Sequence, residues 1–395
     1  MSTNTPSTRP GGHGCDPLQM PENHLDMVVT PDSVDPNREA SLRTRVIAVV
    51  SMPLFFLLAF TLCYVSATHA PVPHDLAVTI SGPAELTGKL ADTVADTAEN
   101  AFTITETTNA DKARDAVLER EAVGAVIIDG TTVTTVVASG GGAIAAPVVR
   151  QLGAQIATEL GSTATVEDVA PLPVDDPSGT VLFYFLIVCT VGGFLSVTVI
   201  SQAIPKVRAR GMLATSVGAA LIVPALGFSM ISVWVDFEAT FGSVAAVIGI
   251  GMIYTLTVGL IATLLTLVLG QGAVLGEILI LVALNFPSAG ASVPESMLPP
   301  FWQVIHNGWL GSGAFESMRS IMFFDGNQAS RWLAQLLIWT AAAIVLIALA
   351  AITDRRRAAA SNRLETDVEP GGEGHSLQPK PGTAEQAAVS AASVM

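Results

Sequence analysis

Long uncharged apolar runs are the feature that most constrains the fold of this chain. One run stands alone at 46–66, and five more lie between residues 181 and 352. The hydrocarbon core of a bilayer is about 30 Å thick, so a helix needs about 20 apolar residues to cross it, and soluble helices rarely stay uncharged for that long. The arrangement predicts an integral membrane protein with one large loop after its first crossing.

We predict six transmembrane helices. The five runs that follow the first are 181–204, 212–235, 244–269, 273–291 and 332–352. The fifth helix is weak, because Glu277, Asn285 and Pro287 interrupt it and its clean apolar stretch of about 15 residues covers roughly 22 Å. It either crosses a thinned bilayer or ends early and leads into a re-entrant segment that is buried in protein.

Charged residues beside the runs predict the orientation in the membrane. Arg43 and Arg45 precede the first run, a basic loop at 205–211 joins the second and third, and three arginines at 355–357 follow the last. Acidic residues at 236–238 mark the opposite side. Because short basic loops stay in the cytoplasm, six crossings place both termini there, in a multi-pass protein of the cell membrane.

The predicted fold class is a membrane all-α protein of six transmembrane helices, with an α/β extracytoplasmic domain inserted between helices 1 and 2. The predicted parts are a disordered cytoplasmic tail and pre-membrane segment at 1–45, helix 1 at 46–66, the external domain at 67–178, a five-helix membrane domain at 179–353 with an outer re-entrant or amphipathic segment at 288–328, and a disordered cytoplasmic tail at 354–395. A signal peptide cleaved near Val65-Ser66-Ala67 is the alternative for helix 1.

The predicted external domain has the pattern of a small α/β module between residues 75 and 165. Apolar runs predict strands at 76–80, 101–105, 124–128 and 132–138, and helical spacing predicts helices at 83–100, 110–122 and 145–160. Asp129-Gly130 favours a tight hairpin between the last two strands, and Asn109 favours a capped helix start. A Pro/Asp linker at 169–177 returns to the membrane.

Most of the negative charge lies in this predicted domain. The whole chain has a net charge of −15, and 67–178 holds sixteen Asp and Glu residues against five Lys and Arg. An acidic surface repels nucleic acid. We therefore expect no nucleic-acid partner.

Two stretches resemble a known protein family. One is 116–128, a helix-then-strand segment. The other is 270–326, which has a glycine-rich turn, a short apolar run, small residues at 288–291, Pro294, Leu298-Pro299 and the amphipathic 301–306, followed by 319–324. With this order of elements, 46–353 resembles permease subunits of type-2 ABC exporters, especially the phage-infection-protein (Pip/YhgE-like) branch. The family often has Pro shortly after the position of His306, where this chain has Gly308-Trp309-Leu310.

The resemblance implies a permease subunit of an ATP-driven exporter that works as a homodimer or heterodimer and moves an amphipathic or lipid-linked substrate outward. The nearest phosphate-loop pattern, Gly82…Gly88-Lys89-Leu90, has the wrong gap and no Ser or Thr after the lysine. ATP would therefore bind a separate cytoplasmic ATPase subunit, and this chain would hold no cofactor. Candidate ATPase-docking residues are Arg43, Arg45, Lys206, Arg208 and Arg210, and candidate transport-path or gating residues are Glu277, Asn285 and Arg319.

Each candidate also has a structural interpretation. The basic residues can serve topology alone, Glu277 can reach the interface from the end of its helix, and Arg319 can pair with Glu316 three residues away. An interfacial aromatic belt on the outer side is expected to consist of Trp302, Trp309 and Trp332.

Two other classes of function are alternatives to an exporter. A non-transporting envelope scaffold, receptor or secretion-accessory protein that acts through its external domain fits the same layout. A membrane-embedded enzyme is disfavoured, because Gly-x-Ser-x-Gly, Ser-x-x-Lys and His-Glu-x-x-His motifs are missing from the sequence, and His69, His74 and Asp75 lack the spacing of a zinc site. We expect no catalytic and no metal-binding residues, and no enzyme activity in this chain.

Overall fold

The computed structural model describes residues 36–98, 100–204, 208–291 and 293–368. The described residues up to Leu54 form one compact unit, and those from Phe55 onward form a second. The chain is mostly helical and contains one small α/β region. The contacts that position the candidate site all lie within the second unit.

The first half of the chain contains both helices and strands, and the second half contains helices alone among the described elements. The first half contains α1 (Pro36–Thr68), β1 (Leu76–Ser81), α2 (Ala84–Thr97), β2 (Phe102–Thr107), α3 (Ala110–Leu118), β3 (Gly124–Asp129), β4 (Thr132–Val137), α4 (Ala145–Glu159) and β5 (Thr163–Asp168). The second contains α5 (Val181–Ala203), α6 (Ala209–Ile231), α7 (Phe241–Leu269), α8 (Ala273–Glu277), α9 (Asn285–Ser288), α10 (Pro300–His306), α11 (Leu310–Phe323) and α12 (Ala329–Val368).

Five helices within the described ranges are long and apolar enough to cross a membrane. These segments are Val50–Thr68, Val181–Ala203, Ala209–Ile231, Phe241–Leu269 and Ala329–Thr353. Large apolar side chains lie on their outer faces, and Leu226 of α6 and Ile338 of α12 are 62% and 68% exposed. Surfaces of this kind are costly in water and are normally covered by lipid or by another protein. The five helices indicate a membrane protein, as the apolar runs predict.

The α/β region is built on a five-stranded sheet with the strand order β2-β1-β3-β4-β5. The β3–β4 pair is antiparallel, and the other three pairs are parallel. Val78 of β1, Leu90 of α2 and Val149 of α4 are buried in one apolar cluster, which continues into Leu298 and Trp302. The sheet therefore shares a core with the helical segment around α10.

Local turn chemistry produces the hairpin and one helix start that the sequence predicts. Asp129 pairs with Thr132 at the end of the β3–β4 ladder, and Gly130 between them has a φ of 58°, which glycine adopts without strain. Asn109 caps α3, since its side-chain oxygen accepts hydrogen bonds from the backbone N–H groups of Asp111 and Lys112. Both predictions are confirmed.

The strand β5 (Thr163–Asp168) was missed by the sequence prediction. It forms one edge of the sheet, in parallel pairing with β4, and its first four side chains are exposed. An exposed edge strand needs no apolar alternation, so its sequence, Thr-Ala-Thr-Val-Glu-Asp, lacks the pattern on which strand prediction depends.

The weak fifth helix of the prediction is short and irregular. A π-helix (Ile278–Ala283) separates α8 from α9, and together these elements form an apolar helical segment at Ala273–Ser288, shorter than the five candidate spans. We refer to Ala273–Ser288 as the broken fifth helix. Its shortness agrees with the apolar run, and whether it completes a sixth crossing stays a prediction.

Two helices extend into the segments that the sequence predicts as disordered tails. Helix α1 begins at Pro36, inside the predicted disordered segment 1–45, with proline in the first turn where its missing N–H costs nothing. Helix α12 continues to Val368, beyond the predicted end at 353, because 354–368 contains no Gly or Pro and is rich in the strong helix formers Ala and Arg. Residues 1–35 and 369–395 lie outside the described ranges.

A glycine in α4 tests the packing of the α/β region. A Cβ atom at Gly153 would collide with the Thr135 side chain of β4, whereas one at Gly88 of α2 would make only ordinary contact. We expect Gly153→Ala to lower the free energy of unfolding by about 1–3 kcal/mol. Gly88→Ala, the matched control, should leave it unchanged or raise it slightly. Thermal unfolding of the full chain in detergent compares the two, and equal melting temperatures would contradict the α4–β4 contact.

Candidate functional site

Glu277 is completely buried at the end of α8, although its place near the end of an apolar run allowed it to reach the interface. Its Oε2 atom lies 2.7 Å from the Thr198 hydroxyl of α5. Its Oε1 atom has no hydrogen-bond partner among the described residues. Glu277, which the sequence predicts as an intramembrane carboxyl group, therefore makes a specific contact between the broken fifth helix and α5.

Asn285 lies at the other end of the π-helix and anchors a second polar contact. Its Nδ2 group donates a hydrogen bond to the Tyr254 hydroxyl of α7 at 2.7 Å, and that hydroxyl lies 2.7 Å from the Thr190 hydroxyl of α5. The Asn285 Oδ1 atom has no partner in the described part of the chain and packs so closely on Gly311 of α11 that a Cβ atom there would collide with it.

The π-helix thus lies between two buried polar contacts. Glu277 meets Thr198 immediately before it, and Asn285 meets Tyr254 immediately after it. A π-helix leaves the regular backbone hydrogen-bond pattern and is frequently found at functional positions. Polar side chains at membrane depth are expensive and are retained mainly where they serve a function. These contacts make the broken fifth helix the first half of the candidate site.

Arg319 belongs to a buried ion triplet that forms the second half. Its Nη1 atom lies 2.6 Å from Glu316 Oε1, and Arg120, from the turn that follows α3, lies 2.5 Å from Glu316 Oε2. Arg319 also donates hydrogen bonds to the carbonyl oxygens of Gly290 and Ala291. The predicted Glu316–Arg319 pair is confirmed, whereas the contribution of Arg120 could not be foreseen from the sequence.

Opposing effects set the ionisation of the triplet, which lies in α11 and the α/β region, outside the candidate spans. Burial alone would raise the pKa of the Glu316 carboxyl, but the charges of Arg319 and Arg120 outweigh burial and hold that pKa below its ordinary value. Burial lowers the pKa of the Arg319 guanidinium to about 10, against the opposing effect of Glu316. The Glu316 carboxylate and the Arg319 guanidinium therefore both carry their charge at neutral pH.

A polar cavity of about 390 Å³ adjoins the triplet. Its walls come from the α/β region and from the segment between residues 294 and 332, and its charged and polar lining includes His74, Arg120, Gln303, His306, Glu316, Arg319 and Arg331. His306 is buried and its Nδ1 atom bonds to the Ser288 carbonyl oxygen at 2.8 Å. The end of the broken fifth helix is therefore connected to the cavity wall.

Two of the three tryptophans of the predicted interfacial belt are buried in the protein. Trp302 is 3% exposed and donates its Nε1–H to the Ser66 hydroxyl, and Trp332 is 4% exposed and packs edge-on against His306. Trp309 packs against Trp339 of α12. Trp302 is covered because it packs into the apolar cluster of the sheet core, and Trp332 is covered where α12 packs on His306. The belt prediction is wrong for these two residues.

The candidate ATPase-docking residues lie in two places along the chain. Arg43 is exposed on α1, and Arg208 and Arg210 are exposed at the start of α6. The side chain of Arg45 and all of Lys206 lie outside the described residues. Because Arg208 and Arg210 are exposed, they can either fix the orientation in the membrane or bind a partner. Their role in ATPase docking stays a prediction.

Removal of Glu316 tests the ion triplet. We expect Glu316→Gln to lower the free energy of unfolding by about 3–5 kcal/mol, because it leaves the buried Arg319 and the partly buried Arg120 without an anion. The control is Glu167→Gln, which breaks the partly exposed Arg114–Glu167 pair and should cost less than about 1 kcal/mol. Thermal unfolding of the full chain measures both, and a Glu316→Gln variant as stable as the control would refute the triplet.

Acid titration tests the ionisation of Glu316. The unfolded carboxyl has a pKa of about 4.3, and the folded value is lower. The stabilisation from this shift is fully present above the unfolded pKa and is lost as the pH falls through the folded pKa. The difference in unfolding free energy between wild type and Glu316→Gln should be constant at neutral pH and shrink only below about pH 4. A difference that already shrinks at neutral pH would contradict this assignment.

Comparison of the chain with protein-family models, with curated proteins and with solved structures finds no match. The resemblance to type-2 exporter permeases therefore rests on the quoted residues and the order of elements alone.

Proposed function

We propose that this chain is the membrane-spanning permease subunit of an ATP-driven exporter of the type-2 ABC kind, and that it moves an amphipathic or lipid-linked substrate outward. In this proposal the five candidate spans and the broken fifth helix make six crossings of the cell membrane. The α/β region lies outside, both termini lie in the cytoplasm, and two permease chains enclose the path. A separate cytoplasmic ATPase subunit supplies the energy.

The observation that carries the proposal is the buried polar face of the broken fifth helix. A helix bundle that served only as an anchor would gain nothing from burying Glu277, Asn285 and Tyr254 among its helices, since each polar group costs free energy in an apolar interior. The segment is also too short and too irregular to be a simple anchor. Irregular backbone at membrane depth is tolerated where it is buried in protein or lines a cavity.

The ion triplet supports a mechanical link between the α/β region and this segment. Glu316 binds Arg120 of the α/β region and Arg319 of α11. Arg319 in turn binds the carbonyl oxygens of Gly290 and Ala291, directly after α9. A displacement of the broken fifth helix would therefore be transmitted through α11 to the α/β region during a transport cycle.

The need for a partner ATPase is supported by the position of the phosphate-loop-like residues. Gly88 and Lys89 lie inside α2, where their backbone N–H groups belong to a helix and cannot form the loop that cradles phosphates. ATP hydrolysis in the proposed exporter thus comes from another subunit.

Reconstitution tests the exporter proposal. We expect an ATPase subunit to co-purify with the full chain in mild detergent, and its ATP hydrolysis in proteoliposomes to be stimulated by the permease. Neutralisation of Arg208 and Arg210 to glutamine should weaken co-purification by removing charge from the proposed docking surface. The matched control is Arg150→Gln, an exposed arginine of α4. If no ATPase co-purifies with the wild-type chain and hydrolysis never responds, the exporter proposal is wrong.

A scaffold or receptor role is the second candidate, and one observation favours it. The edge strand β5 exposes its first four side chains, and edge strands can pair with a strand of another protein. Photo-crosslinking from Val166, which is 56% exposed, separates the two roles. A scaffold should capture a protein partner independently of ATP, whereas the exporter proposal predicts no obligatory partner at this edge.

A further inference from the structure

Two threonines of α5 make the same pair of hydrogen bonds. The Thr190 hydroxyl lies 2.8 Å from the Leu186 carbonyl oxygen and 2.7 Å from the Tyr254 hydroxyl. The Thr198 hydroxyl lies 2.9 Å from the Phe194 carbonyl oxygen and 2.7 Å from Glu277 Oε2. A threonine hydroxyl has one proton, and a carbonyl oxygen can only accept. When the hydroxyl donates to the carbonyl four residues earlier, it must accept from its other partner.

At Thr190 the required donor is present. Asn285 donates its Nδ2–H to the Tyr254 oxygen, and the Tyr254 hydroxyl proton is then free to point at Thr190. The bonds form a directed chain from Asn285 through Tyr254 and Thr190 to the Leu186 carbonyl. At Thr198 the same direction requires Glu277 to donate, and a carboxyl group donates only when it carries a proton.

The surroundings of Glu277 favour the protonated form as well. Its side chain is completely buried, and no ion pair joins it to a cation among the described residues. The packed elements offer Thr198 from α5 and, beside Gly276, the apolar Leu265 and Leu269 from α7. An ionised carboxylate without a nearby cation is strongly disfavoured in such a place, and the group becomes neutral instead.

We propose that Glu277 is a proton-binding site, which holds its proton at neutral pH while the contact with Thr198 joins α8 to α5. The hydrogen bond runs from the Glu277 O–H to Thr198 Oγ1, and the Thr198 O–H continues to the Phe194 carbonyl oxygen. Release of the proton creates a carboxylate that needs water or a cation, so it requires separation of α5 and α8. Movement of the broken fifth helix is therefore coupled to the gain or loss of one proton. This inference does not depend on the proposed function.

Infrared difference spectroscopy on the full chain in lipid bilayers tests the site without any ATPase. At neutral pH we expect the wild-type spectrum to contain the C=O band of a protonated carboxylic acid, sensitive to H₂O/D₂O exchange. This band should be lost in Glu277→Gln, whose amide still donates to Thr198. It should remain in Glu238→Gln, the matched control, because Glu238 is exposed and should show only the loss of carboxylate bands.

A second variant keeps the test decisive if Glu277→Gln fails to fold. Thr198→Val retains Glu277 but removes the acceptor of its proton, so the acid band should shift relative to wild type, whereas Thr198→Ser should leave it in place. The proposal is overturned if the wild type lacks the acid band at neutral pH, or if Thr198→Val leaves that band in its wild-type position. It is also overturned if Glu277→Gln removes carboxylate bands, which would mean that Glu277 is ionised at neutral pH.

Discussion

The structure depends on a rule of electrostatics: a buried carboxyl group must be either neutralised by cations or protonated. Glu316 follows the first course, since guanidinium groups from Arg120 and Arg319 bind its two oxygens. These two arginines come from parts of the chain 199 residues apart, so one anion connects the α/β region to α11. The loop after α9 is joined to the same group through Arg319. A neutral residue at position 316 would leave these parts without their common anchor.

Glu277 illustrates the second course, because its surroundings provide a hydroxyl partner and no described cation. The two glutamates lie in different parts of the protein and make different kinds of contact. Glu316 provides a permanent connection at the α/β region, whereas Glu277 and Asn285 hold the two ends of a π-helix in the apolar bundle. A rigid link beside an irregular, polar helix suits a protein whose helices move relative to one another. The exporter and proton-binding proposals both start from this arrangement, and separate experiments can disprove each one without the other.

The sequence predicts those parts of the fold that depend on neighbours along the chain. Asn109 caps its helix, Gly130 turns its hairpin, and the apolar runs form long helices because these signals are local. The strand β5 was missed because an exposed edge needs no apolar pattern. The contacts of Arg120 with Glu316 and of Glu277 with Thr198 were also missed, since they join residues 196 and 79 positions apart. Such pairings depend on tertiary packing, for which a single sequence carries no comparable signal.

The central claim is that the α/β region and the start of α6 lie on opposite sides of a membrane. Residue accessibility from each side tests it most directly. In a cysteine-free background, one cysteine replaces Thr131 at the exposed β3–β4 turn, and another, in a separate variant, replaces Arg210 at the exposed start of α6. The account predicts that a membrane-impermeant thiol reagent labels position 131 in intact cells and position 210 only after permeabilisation. Labelling of both positions from the same side of intact cells would contradict it.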